Sequence, residues 1–576
     1  MSRNKKTKTL TVVIEERRNR IITQRVDPSP EPKPQKVTSK KSMCDDREDI
    51  CQPISSLEGI LQWKPPSKQS WAEKVIPKLN KSSRCFKWHK DCKSYFEDNI
   101  LLQGKECVPK TLYCHDMKGG YLDDKYVKGC ASEDPFTFFR WAGIDIFVYF
   151  SHTLLTIPPL AWINAAHANG VTVLGTIITE GEKGHEFCKN LLKEDKLIES
   201  FCVKVAQIAK HYKFSGYLLN IENDISMANM PNFIELVKEL RKQLKKVDPN
   251  NIVIWYDSVT IPNGEICYQN ELNGHNCTFF DITDGIFLNY NWKEENLTFS
   301  KRFAENRAAD VFVGIDVFGR GCYGGGGFNS HKAMKLIRKY NLSAAIFAPG
   351  WVHECQTEDD PFIARDFKFW QRMYPYLFVS GPKELPFKTS FCTGFGKNYY
   401  SKGQIYTEGP WYNLSRQDFQ LTDIIPWEGD DSEYSCLTYY HLDAYHGGNS
   451  VLLKSDHFER LFFCDFKLNS ADALEIILAI KNFGEEEGEV EVLVKYIDRN
   501  SVRKKQILDY SAGTDEANHW RKRKFIFGPC EGTVLEIGCR LMDREVMLIG
   551  EVIVKKALKD SYQFKRASKS SIHEKV

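Results

Sequence analysis

The chain has 576 residues, 42% hydrophobic and 27% charged, with a formal net charge of +3. Its length exceeds one ordinary domain and predicts about two to four, and its apolar content is that of a globular protein. So small a net charge leaves no general charge-driven nucleic-acid or membrane-surface role.

The charge is unevenly placed, because residues 1–41 hold twelve Lys/Arg against four Asp/Glu. With the stretch "VDPSPEPKPQKVTSKKS", this predicts a disordered, solvated basic tail over residues 1–55. A nuclear-import or RNA-contact role is the sharper alternative for that tail. The first twenty residues lack an apolar core of about 7–15 residues, so no secretory signal is expected, and their acids argue against a transit peptide. A cytosolic chain follows from this, with its eighteen cysteines as reduced thiols. The five N-x-S/T sites, at Asn80, Asn276, Asn296, Asn341 and Asn413, would then not meet the glycosylation machinery. No C-x-x-C pair and no H-E-x-x-H is present, so neither a zinc site nor another metal or cofactor is expected.

From residue 111 a pattern recurs. Eight β-branched or aromatic runs end in polar residues: 111–117, 144–151, 171–180, 216–223, 252–259, 285–292, 311–319 and 344–351. Helical stretches such as 230–247 and 329–341 separate them. Residues 146–179 contain no Asp, Glu, Lys or Arg and mimic a membrane span, but His152, Pro158-Pro159, Asn164 and Asn169-Gly170 interrupt them. Two buried strands joined through a helix fit better. Eight strand–helix units predict an α/β chain with a (β/α)₈ barrel over residues 56–385, an N-terminal extension included. A doubly wound open sheet is the alternative.

After residue 385 the runs become strands bounded by Gly, Asn and Asp, such as "QIYTEGPWYNLS" and "LEIILAIKNF". They predict C-terminal β-sandwich modules, a first over 386–460 and a second over 461–560, then a disordered tail over 561–576. "FGEEEGEVEV" reads as an acidic hairpin turn.

In such barrels the active site lies at the C-terminal ends of the strands. The stretch "SGYLLNIENDIS" places Asn220 and Glu222 two residues apart, so a strand there aims both into one space. Glycosidases usually need two carboxylates. One amide and one carboxylate suffice if the substrate sugar carries a 2-acetamido group whose carbonyl oxygen attacks the anomeric carbon. An Asn side chain can orient that acetamide, and a Glu of raised pKa can serve as acid and then base. Trp141, Tyr149, Trp255, Tyr256, Tyr290, Trp292, Tyr323 and Trp351 fall at or near strand ends and suggest sugar stacking. The loop "CYGGGGFNS" lacks the Lys-Ser/Thr of a phosphate loop and reads as a mobile rim.

"GYLLNIEND", preceded by "YFSHTLLTIPPLAWINAAHANGVTVLGTIITEG" and followed by "IVIWYDSV" and "GIFLNYNW", resembles the cytosolic endo-β-N-acetylglucosaminidases of glycoside hydrolase family 85. The resemblance runs over residues 60–460, including "GPWYNLSRQDFQ" and "AYHGGNSVLL". It implies cleavage between the two GlcNAc residues of the N-glycan chitobiose core, with retention through an oxazoline intermediate and a capacity for transglycosylation. It implies that Glu222 is the acid/base, Asn220 the acetamide-orienting amide and Tyr256 an assisting tyrosine. It implies Trp292 as a mouth tryptophan that shapes acceptor access. His152, Glu180, Asn289, Asp316 and Trp351 are candidate sugar contacts from strand-end position alone. The expected partner is an N-glycan or free oligosaccharide, with no nucleic acid and no membrane, and oligomeric state is left open. Two other readings stand beside this one. One is a conventional two-carboxylate glycosidase with Glu180, Asp257 or Asp316 as nucleophile. The other is a non-catalytic glycan-binding barrel.

Overall fold

The computed structural model describes residues 50–66, 70–87, 100–102, 108–132, 135–355, 361–422, 437–454, 456–483, 488–542 and 546–558. The basic tail over 1–49, the C-terminal tail from 559 and the tip of the acidic turn lie outside the described residues.

The eight apolar runs form eight strands: β1 Thr111–His115, β2 Ile146–Tyr149, β3 Thr172–Glu180, β4 Gly216–Glu222, β5 Ile252–Tyr256, β6 Gly285–Leu288, β7 Val311–Asp316 and β8 Ser343–Phe347. Each pairs in parallel with the next, and β8 pairs with β1, so the sheet closes into a barrel. The open-sheet alternative is excluded by that last pairing. Strand β4 enters the barrel at Gly216, whose φ is +122 and whose missing Cβ leaves room for the Ile252 carbonyl. The uncharged stretch resolves into β2, a helix over Leu160–Ala168 and β3. No helix among the described residues is long and apolar enough to cross a membrane.

The helix Met230–Val247 shows why these connections are helical. Pro231 sits in its first turn, and Phe233, Leu236, Val237, Leu240 and Leu244 form one buried stripe. Residues 50–55, expected within the disordered tail, instead pack on the barrel. Cys51 is buried, and Ile50 and Ile54 pair with Tyr126 and Leu155. The described cysteines are free thiols.

The C-terminal region is antiparallel. One sheet runs Leu437–Tyr440, Ser450–Leu453, Met547–Lys556, Leu474–Asn482, Arg521–Phe527 and Tyr510–Asp515, with Phe387–Thr389 also on Met547–Lys556. A second runs Glu459–Leu468, Gly532–Leu541, Val490–Asp498 and Arg503–Leu508. Strands on both sides of residue 460, expected in separate modules, therefore share a sheet and one apolar core. The barrel meets this region through buried hydrogen bonds: Trp141 Nε1 donates to Gln417 Oε1 at 2.8 Å, and Gln417 Nε2 donates to the Phe138 carbonyl at 2.9 Å.

Candidate active site

Strand alternation decides which side chains meet. Leu112, Ile146, Leu174, Leu218, Ile254, Phe287, Phe312 and Ala345 pack together inside the barrel. Steps of two along each chain segment lead to Asp116, His152, Glu180, Asn220 with Glu222, Tyr256, Asn289, Asp316 and Phe347. All of these line one cavity of about 380 Å³ at the C-terminal ends of the strands. The side chains one residue out of phase face the surrounding helices. His115 thus lines a separate cavity of about 120 Å³ outside β1.

Asn220 is 5% exposed and Glu222 half-buried. Asn220 and Tyr268 hydrogen-bond the Glu222 carboxyl. Its pKa is raised above the usual carboxylate range, first by burial and then by the negative charge of Glu180, its register neighbour on β3. The Asn220 hydrogen bond, the His152 charge and the Tyr268 hydrogen bond oppose that shift without cancelling it. No ion pair to Glu222 occurs among the described residues. The other inward carboxylates lie beside basic side chains. Glu180 Oε1 lies 2.8 Å from His152 Nδ1, and Asp116 lies 4.0 Å from His152 Nε2. Asp316 takes Arg320 Nε at 2.8 Å and Nη2 at 3.1 Å.

Tyr256 is buried at the cavity floor, and its hydroxyl donates to Asn289 Oδ1 at 3.0 Å. Asn289, expected as a sugar contact from strand position, is thus also the partner of Tyr256. Asp257 faces away from the cavity. It is 1% exposed and accepts from Asn276 Nδ2 at 2.9 Å and the backbone N–H of Asn270 at 2.7 Å. Burial pushes its carboxyl up to about 6 against those hydrogen bonds. A nucleophilic role for Asp257 is therefore ruled out by its direction.

Two expected contacts fall elsewhere. Trp292 is absent from the cavity wall; it is 3% exposed, donates to the Gly314 carbonyl at 2.7 Å and stacks on Tyr323 with centroids 5.3 Å apart. Trp351 begins a short helix and packs against Gly327 and Phe328. Of the aromatic residues grouped at strand ends, only Tyr256 and Tyr290 line the cavity. Trp141, Tyr149 and Trp255 are buried in the core outside the barrel interior, with Trp255 stacked on Phe279 at 4.1 Å. Gly314 makes room for Tyr290, since a Cβ there would stand 2.7 Å from its ring.

The cavity also contains residues that the site reading omitted. Phe150 and Phe347 follow from alternation. Tyr268 and Arg320 come from loops after β5 and β7, where no periodicity signals a direction. Among the described residues, no group of three His, Cys, Asp or Glu side chains is arranged to hold a metal ion.

Comparison with known proteins bears on this geometry. Residues 121–399 match the sequence model of Glycosyl hydrolase family 85. The chain is 40% identical over 436 residues to the cytosolic endo-beta-N-acetylglucosaminidase of Homo sapiens, covering 74% of this chain and 54% of that protein. It is 40% identical over 410 residues to cytosolic endo-beta-N-acetylglucosaminidase 1 of Arabidopsis thaliana, covering 69% and 59%. The chain thus spans little more than half the length of these relatives. The glycoside hydrolase domain of Endo-D from Streptococcus pneumoniae R6 shares the fold, with a TM-score of 0.66 at 19% identity over 88% of this chain and 83% of that one. Barrel, cavity and sequence likeness converge on glycosyl hydrolase family 85, whose sequence model residues 121–399 match.

Proposed function

We propose that this chain is an endo-β-N-acetylglucosaminidase that acts in the cytosol on N-glycans and free oligosaccharides. It hydrolyses the β-1,4 bond between the two GlcNAc residues of the chitobiose core. One observation carries the reading. Asn220 and Glu222 share the cavity, and Glu222, its pKa raised, makes no ion pair among the described residues. In this reading the substrate brings its own nucleophile.

In the first step Glu222 protonates the glycosidic oxygen as the C1–O bond breaks. The acetamide carbonyl oxygen bonds to C1, giving the N-protonated oxazoline (an oxazolinium), and the GlcNAc that stays on the aglycone departs with the proton from Glu222. Asn220 donates to the Glu222 carboxylate and turns its own oxygen to the acetamide N–H, where positive charge develops. In the second step Glu222 takes a proton from water, which adds to C1 and opens the ring with net retention. An acceptor hydroxyl in place of water gives transglycosylation. Tyr256 assists from the cavity floor. His152, Glu180 and Asp316 line the cavity, and we assign them to the sugar hydroxyls.

One observation favours a second reading. Glu180 lies beside Glu222 in the β3–β4 register, where a nucleophile would stand. That version turns over a substrate lacking the 2-acetamide, and the first does not.

The test is mass spectrometry of a high-mannose glycopeptide incubated with wild-type protein and with Glu222→Gln. Expected are a glycan with one reducing-end GlcNAc and one GlcNAc left on the peptide, both lost in the variant. No cut by folded wild-type protein selects the glycan-binding barrel. A cut at the Asn–glycan bond or at a terminal sugar overturns the substrate assignment.

A further inference from the structure

The loop after β5 returns beneath the cavity through a chain of side chains that the steps above leave unused. The backbone N–H groups of Gln269 and Asn270 donate to the buried Asp257 carboxylate at 3.2 and 2.7 Å, which pins the loop. The Asn270 amide then has a single orientation. The backbone N–H of Asn291 donates to its Oδ1 at 2.9 Å, and its Nδ2 donates to the Tyr268 carbonyl at 3.1 Å. Asn289 approaches that same Oδ1 at 3.0 Å, and only an N–H can do so. Its amide oxygen therefore faces Tyr256, 3.0 Å away, and the Tyr256 hydroxyl has to donate.

A hydroxyl has one proton and two lone pairs. The Tyr256 proton is committed to Asn289, so the Tyr290 hydroxyl, which hydrogen-bonds Tyr256, is the donor in that pair. One lone pair of Tyr256 remains for the cavity.

We infer that Asp257, Asn270 and Asn289 are positioning residues that lock the Tyr256 hydroxyl with its proton turned inward and its lone pair toward the reacting sugar. This rests on the acetamide-assisted reading. A donor aimed at the acetamide oxygen would draw on the lone pair needed for attack on C1. An acceptor there leaves the nucleophile free and faces the positive charge that grows at C1 and the acetamide nitrogen. A dipole fixed before the reaction needs no reorientation during it.

The test uses full-length protein labelled with [¹³Cζ]tyrosine, with the Tyr256 signal assigned by its loss in Tyr256→Phe. In Asn289→Leu that signal is expected to shift. On glycopeptide, kcat should fall roughly tenfold to a hundredfold, somewhat less than for loss of a direct catalytic donor, with KM little changed. The double variant Tyr256→Phe/Asn289→Leu should be no slower than Tyr256→Phe alone, because Asn289 acts through that hydroxyl. An unmoved Tyr256 signal, or losses that multiply in the double variant, overturns the inference. Asn270→Ala supplies the same readouts if Asn289→Leu does not fold. If wild-type protein leaves chitobiose uncut, the substrate reading falls, while the tyrosine signal still decides the orientation.

Discussion

In the sandwich, Glu475 is buried yet meets Lys524 and Lys555, both at 3.0 Å. Burial pushes its carboxyl up, but the two lysine hydrogen bonds win and hold it below the usual range. Glu551, 2% exposed, has Lys388, His446 and Lys522 around it. In the barrel mouth the arrangement is reversed, with Glu222 beside another carboxylate and in no ion pair among the described residues. Glu475 is held toward the ionised form where it braces a sheet, and Glu222 toward the neutral acid where a leaving oxygen needs a proton. The difference lies in the partners and not in burial alone.

The largest effect is expected at Glu222. Glu222→Gln should lower kcat on glycopeptide by roughly three orders of magnitude, the range of general acid–base catalysis. Its stability should change in the opposite sense. A carboxyl whose pKa is raised in the fold contributes stability that is lost as pH rises through the interval between its unfolded and folded values. The variant should therefore melt above wild type at pH 7, and the gap should close below the ordinary carboxylate range. A lower melting temperature at pH 7 would break the comparison. Asn220→Ala should lose about 10²–10³ in hydrolysis yet act on a preformed oxazoline donor. Equal loss on both donors would remove its acetamide role.

In the sandwich the expected effect moves from rate to stability. Arg460 is 1% exposed and pairs with Glu536 at 2.9 Å, so Glu536→Gln removes an ionic partner of a buried guanidinium. A loss of about 3 kcal/mol in denaturant unfolding, with kcat unchanged, is expected. The smallest effect belongs to Glu180→Gln. Removing that charge lowers the Glu222 pKa, so the alkaline limb of the kcat profile should move to lower pH with the maximum retained. Abolished activity would instead make Glu180 the nucleophile.

The eight barrel strands were readable because a strand buried on both faces is a continuous apolar run, and loop chemistry marks its polar end. Asn220 and Glu222 were readable because strand alternation has a period of two and both lie on one strand. The aromatic argument failed where phase across strands mattered. Tyr149 and Trp255 lie one step out of phase with Phe150 and Tyr256, which puts them against helices. Trp292 follows β6 closely, yet its indole N–H turns to Gly314 on β7 and away from the mouth. Sandwich strands far apart in sequence, such as Phe387–Thr389 and Met547–Lys556, pair without any local sign of it.

By itself the sequence determined eight strand–helix units, a β-rich C-terminal region, and one amide and one carboxylate on a shared strand face. These follow from local periodicity, which depends only on neighbours a few residues away. The tertiary structure decided closure, the inward phase of each strand, and the company each carboxylate keeps. It brought Glu180 beside Glu222, turned Asp257 out of the cavity, and carried Tyr268 and Arg320 into it from loops. Those outcomes depend on register between strands and on loop closure, which act between residues tens of positions apart.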